Sequence, residues 1–242
     1  IGNAADVKMY DRFDQLNGEA GFVFAPFSIT PESPVILLRP KFYSSDFSDT
    51  NALNPDDFEP FQQANHLEKC KPVSREDYLQ LIEKTVTDIR EGALSKVIIS
   101  RQIPFARTDT SLGSTFLQLQ EKTPNAFTYL VNLPYAGIWM GATPEVLIKS
   151  AGERFETVSL AGTQVRKYDG EEYYWSTKDI EEQAFVSRYM LDVFFNFDIH
   201  QYKTTGPETL ESGKVAHLKT SFFFPKEKVE NQLGNFVAEL HP

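Results

Sequence analysis

Lys96 and Glu145 are the side chains this sequence sets up best for moving protons. Lys96 heads the run Lys96-Val97-Ile98-Ile99-Ser100-Arg101, and Glu145 closes Gly141-Ala142-Thr143-Pro144-Glu145. Each therefore stands at the end of an apolar, β-type stretch. One base and one acid fixed in this way suit a reaction in which water adds at one carbon while hydroxide leaves another. Hydroxide is a poor leaving group, and a placed acid or base contributes roughly 10²–10⁴ in rate. The chemistry asks for Lys96 as a free amine part of the time and Glu145 as a neutral acid, states that burial and neighbouring charges can impose. Read alone, both residues also have plainer explanations. Lys96 could guard an edge strand against aggregation, and Glu145 could be a solvated turn residue.

Further along come Leu160-Ala161-Gly162-Thr163 and then the acidic helix start Lys178-Asp179-Ile180-Glu181-Glu182-Gln183. In the first, glycine permits close backbone approach and threonine supplies a hydroxyl donor; an ordinary strand-ending turn would read the same. In the second, acids in an early helical turn are favourable beside the helix dipole whatever else they do. His217 lies in Val215-Ala216-His217-Leu218, where a lone histidine on an apolar strand is commonly a satisfied core residue. His66, His200 and His241 have no comparable surroundings.

The elements that must position these groups form a mixed pattern. Residues 21–27 and 34–39 read as short strands split by a Pro/Ser turn. The polar stretch 43–72 reads as a surface loop or linker. A helix begins at the N-cap Ser74, carries Tyr78, Ile82, Val86 and Ile89 at helical spacing, and stops at Gly92. Residues 97–99 follow as a β-branched strand. A short helix at 114–122 leads to strands at 126–133, 137–140, 146–148 and 155–160. The longest helix is expected over 177–197. A strand at 215–224 precedes a helix with Val229, Leu233, Phe236 and Leu240 on one face. Strands and helices that do not strictly alternate indicate an α+β architecture with large mixed or antiparallel sheets and helices packed outside.

At 242 residues and 41% hydrophobic content the chain can bury a sizeable core. Its formal charge of −10 argues against nucleic acid and anionic membrane as principal partners. Cys70, the single cysteine, excludes an internal disulfide. No stretch is long and apolar enough to span a bilayer, and the first residues lack a signal-peptide pattern, so a cytoplasmic location is expected.

Taken together, these pieces resemble the chorismate-utilising enzymes, and within them the isochorismate synthases. The likeness runs from about Gly21 to the end and is strongest from Lys96 to Gln183. It implies an anthranilate synthase component I-like fold, with residues 1–242 forming the N-terminal and central part of one catalytic domain. It implies Lys96 as the base that activates water for attack at C2 of chorismate, and Glu145 as the acid that protonates the departing C4 hydroxyl. Glu182 aligns with a glutamate that helps hold Mg²⁺, and Glu181 is the neighbouring alternative. Ala161, Gly162 and Thr163 would lie against the substrate, and His217 near its ring. The family usually has histidine after the metal glutamate, where this chain has Gln183. Relatives that use ammonia, such as anthranilate synthase, lack lysine at the place of Lys96, and their helix motif differs. The water-using branch is therefore favoured, in menaquinone or siderophore biosynthesis, with a monomer as the expected state. Salicylate synthase and a non-catalytic chorismate-binding fragment are the alternatives. By the resemblance the chain looks truncated after His241-Pro242, short of a second metal glutamate and of a Tyr and Arg that grip carboxylates. These 242 residues alone are expected to show little or no activity.

Overall fold

A computed structural model describes residues 7–39, 73–104, 111–133, 136–168 and 171–241. The loop expected at 43–72, and Cys70 within it, lie outside the described residues. The largest sheet has four antiparallel strands in the order β6-β7-β9-β8. They span Lys149–Ala151 (β6), Arg154–Val165 (β7), Lys203–Ser212 (β8) and Val215–Pro225 (β9). Alternation decides which way β7 and β9 face: Phe155, Thr157, Ser159 and Ala161 are buried, opposite Phe224, Phe222, Thr220 and Leu218.

Helix α3, Thr177–Asn196, covers that inward face with Gln183, Met190, Val193 and Phe194. Its start is fixed by a capping box in which Ser176 and Asp179 satisfy each other's backbone N–H groups. Its end is a Schellman turn with Asp198 in the left-handed position (φ 55). The Ile199 amide donates to Phe194 O at 2.8 Å, and the Asp198 amide to Phe195 O at 3.1 Å. Around this end lies the main core of Phe155, Phe194, Phe222, Phe224 and Phe236, with Val229 and Leu240. Phe194 and Phe224 meet with centroids 4.9 Å apart, and α4 (Leu233–Leu240) brings in Phe236.

Two smaller sheets complete the described structure. One is three-stranded, order β1-β3-β2, from Val7–Tyr10 (β1), Phe22–Phe24 (β2) and Val35–Leu38 (β3). The other is the ladder of β4, Phe127–Leu133, and β5, Gly137–Thr143. Helix α1, Arg75–Arg90, starts at Ser74 and has no buried residue; α2 is Leu112–Lys122. Helices and antiparallel sheets are thus combined as the sequence led us to expect. No helix among the described residues is long and apolar enough to cross a membrane.

Three local expectations differ. Residues 97–99 pair with no strand among the described residues, and Val97 and Ile98 are exposed. Residues 146–148 likewise form no strand; β6 begins at Lys149. β-branched content favours a pleated surface only where a neighbouring strand supplies partners. Conversely, β8 was not anticipated, because Gly206-Pro207 in the middle of a polar stretch reads as a turn. The strand survives as a sheet edge, with a register shift between Thr205 and Glu208.

Candidate active site

The N-terminal half of α3 is the hub of the site. Glu182, in its second turn, accepts a hydrogen bond from Lys96 Nζ on Oε1 at 3.0 Å. It accepts another from Lys178 Nζ on Oε2 at 3.2 Å. Lys178 is the i−4 neighbour on the same helix and is 82% exposed, so its pairing is solvent-screened. Lys96 comes from the irregular segment 94–104 and is only partly exposed. Burial pushes the Glu182 carboxyl pKa up, but the hydrogen bonds from Lys96 and Lys178 outweigh it, leaving the group below its ordinary value. Lys96 here partners a carboxylate. To take a proton from water it must first leave Glu182.

The Ala161-Gly162-Thr163 turn is a bulge in β7. Pairing with β9 shifts register between Ala161 and Gln164, which frees Gly162 and Thr163 opposite His217. Gly162 takes φ +69, a left-handed conformation that a side chain would strain. His217 Nδ1 lies 3.0 Å from Gly162 O and 3.3 Å from Thr163 Oγ1. A carbonyl only accepts, so the bond to Gly162 places the hydrogen on Nδ1; in the neutral ring Nε2 is then the acceptor. Trp175 backs the turn: a Cβ built on Gly162 would meet Trp175 Cζ3 at 3.2 Å and Asp179 Cβ at 3.3 Å. The Trp175 indole N–H donates to Thr209 Oγ1 on β8 at 2.9 Å. Asp179 thus lies beside the turn three residues before Glu182 on the same helix. Asp179 is itself held below the usual carboxylate range by hydrogen bonds from the Ser176 side chain and backbone.

Glu145 follows β5, where the close approach of the Tyr129 ring leaves no room for a Cβ at Gly141. Its backbone N–H donates to Thr143 Oγ1 at 3.2 Å. The side chain is exposed and bonds to no described residue. The structure therefore joins Lys96 to Glu182, and joins Gly162 and Thr163 to His217. It makes no contact between Glu145 and either group. Lys178, Trp175 and the hydroxyls around Gln183 were not singled out by sequence. Of these, only the i,i+4 spacing of Lys178 and Glu182 left a signal.

Mg²⁺ can be tested against these donors. Glu182 offers hard carboxylate oxygens of the type Mg²⁺ takes, and each now accepts from a lysine, so a cation bound there would displace Lys96 or Lys178. No group of three or more His, Cys, Asp or Glu side chains able to hold a metal is present among the described residues. The other positions would fall to water and substrate oxygens, as Mg²⁺ commonly accepts.

Comparison with known proteins agrees with this fold. The family model for chorismate binding enzyme matches residues 25–242, and the chain belongs to that family. Among curated relatives, isochorismate synthase EntC of Escherichia coli (strain K12) is 26% identical over 221 residues, covering 88% of this chain and 56% of its own length. Isochorismate synthase DhbC of Bacillus subtilis (strain 168) is 28% identical over 142 residues, 52% of this chain and 35% of its own. The chain thus spans about half the length, or less, of these curated relatives. Among solved structures, DhbC from Bacillus anthracis, assigned as a 2,3-dihydroxybenzoate-specific isochorismate synthase, superposes with a TM-score of 0.71 at 21% identity. The match covers 98% of this chain and 67% of that one. MenF, the menaquinone-specific isochorismate synthase of Escherichia coli, gives a TM-score of 0.61 at 15% identity, covering 96% and 67%. These two likenesses establish the fold.

Proposed function

We propose that the protein carrying this chain is an isochorismate synthase of the cytoplasm, acting as a monomer, that converts chorismate to isochorismate with Mg²⁺. The observation that carries this reading is the approach of Lys96 Nζ to within 3.0 Å of Glu182 Oε1. It brings the lysine that marks the water-using branch to the carboxylate aligned with the metal ligand. Relatives named isochorismate synthase over most of the chain support the same reading.

In this proposal Lys96, released from Glu182 and in its free-amine form, takes a proton from the water that attacks C2, as the ring double bonds shift and the C4–O bond breaks. Glu145 gives a proton to the leaving C4 hydroxyl, so the incoming and departing oxygens are each matched by one proton transfer. Glu182 would hold Mg²⁺, whose charge neutralises and orients a substrate carboxylate. Gly162 and Thr163 would border the substrate, with His217 held beside them by its Nδ1–H bond. The expected test is chorismate turnover by the protein as encoded, with products separated by chromatography. Lys96→Ala should lower isochorismate formation by roughly 10²–10⁴. Unchanged formation would remove the base assignment. Salicylate and pyruvate as end products would instead identify a salicylate synthase. The 242 residues by themselves should turn over little chorismate, because they span 56% of the Escherichia coli relative.

A further inference from the structure

Of the four buried residues of α3, three (Met190, Val193 and Phe194) lie toward its C-terminal end; the fourth is Gln183. In the half of the helix that bears Glu182, the one fully buried side chain is thus a carboxamide. Gln183 is 5% exposed. Its Nε2 lies 3.0 Å from Ser159 Oγ on β7, 2.6 Å from Thr220 Oγ1 on β9 and 3.0 Å from Ser187 Oγ one turn along α3. Ser159 and Ser187 bond each other at 2.8 Å. Ser159 and Thr220 are directly paired across the two central strands.

Buried hydroxyls need partners: the Gln183 amide nitrogen, with two hydrogens, can donate to two of these three hydroxyls at a time, and Ser159 and Ser187 also bond each other. Turning or sliding α3 would strand these groups at once, whereas an apolar contact would tolerate a shift. Neighbouring helix residues project about 100° apart. Fixing Gln183 inward therefore fixes where the Glu182 carboxylate points.

We propose that Gln183 is a positioning residue: through the hydroxyls of Ser159, Ser187 and Thr220 it sets the rotation of α3 that presents Glu182 to a divalent cation. The inference rests on the reading of Glu182 as the cation-holding carboxylate, and the test separates the two. Mn²⁺ is titrated into the isotopically labelled protein as encoded, and paramagnetic broadening of backbone amides near Glu182 and Lys96 gives the half-saturating concentration. Wild type should broaden there, and Glu182→Gln should abolish it. Gln183→Met keeps the volume but loses the amide; with amide dispersion preserved, it should raise the half-saturating concentration threefold or more. Gln183→His, which keeps a ring donor, should recover part of the loss.

If Glu182→Gln leaves the broadening unchanged, or wild type shows none, the metal reading fails and this inference falls with it. If Glu182→Gln behaves as expected but Gln183→Met binds within threefold of wild type, Gln183 merely fills space and the inference alone is overturned. Should Gln183→Met not fold, Thr220→Val, which deletes one hydroxyl with little change of shape, is read against the same threefold line.

Discussion

The two halves of the candidate site are held in opposite ways. On one side, α3 and the β7–β9 ladder carry Glu182, Gly162, Thr163 and His217 on regular elements that share a core. On the other, Lys96 and Glu145 sit on stretches with no strand partner among the described residues. The helix that precedes Lys96 in sequence, α1, has no buried residue; it touches the segment through Tyr78, whose hydroxyl donates to Ile99 O at 3.4 Å and whose ring lies under Arg101. The Glu182 carboxylate and the Gly162-Thr163 turn are thus held by regular elements, whereas Lys96 is held by its pair with Glu182 and the Glu145 side chain bonds to no described residue. In this arrangement the one strong link between the halves is the Lys96–Glu182 ion pair.

Cutting the core beneath the ordered half should produce the largest effect. Phe194 is 1% exposed and packs on Phe222, Phe224 and Phe236. Phe194→Ala is expected to destabilise the fold by about 3–5 kcal/mol in urea denaturation, through lost burial and the cavity left behind. A loss below about 1 kcal/mol would mean that α3 is not the keystone of that half. Next in size is Gly162→Ala. A residue with a Cβ at φ +69 costs about 1–2 kcal/mol, and the contact with Trp175 tightens as well. A stabilised variant in the same assay would show that the bulge is not held in this conformation.

The link itself should appear as pH dependence. The folded pKa of Glu182 lies below its ordinary value, so the stability it contributes is complete above the unfolded carboxylate pKa and is lost as pH falls through the folded one. Comparing wild type with Glu182→Gln by thermal melts, the gap should be widest near neutrality and close progressively below about 4.5. A gap that widens on acidification would reverse the sign and dismiss the pair. The N-terminal sheet offers a second case. Hydrogen bonds from Lys8, Arg39 and Tyr10 hold Glu19 down to about 2, so its contribution should persist into more acidic solution than that of Glu182.

What the sequence disclosed follows the same division. The apolar spacing over 177–197 announced α3, and the β9 run announced its strand, because local periodicity and alternation decide both. The family likeness picked out Glu182. The buried role of Gln183 was not legible, since it depends on Ser159 and Thr220 meeting across two strands distant in sequence. Val97, Ile98 and Ile99 misled in the other direction: their composition states what they would do beside a partner, and carries no information on whether one is there.

The smallest effect therefore probes the loosely held half. Ile98 is 85% exposed, a large apolar side chain with little to lose on truncation. Ile98→Thr keeps β-branching and should change stability by no more than about 0.5 kcal/mol, as for exposed sites away from special features. Phe194→Ala measured in the same denaturant series provides the opposite extreme. If Ile98→Thr instead costs 2 kcal/mol or more, the segment bearing Lys96 is buried against something in solution, and the contrast between the two halves disappears.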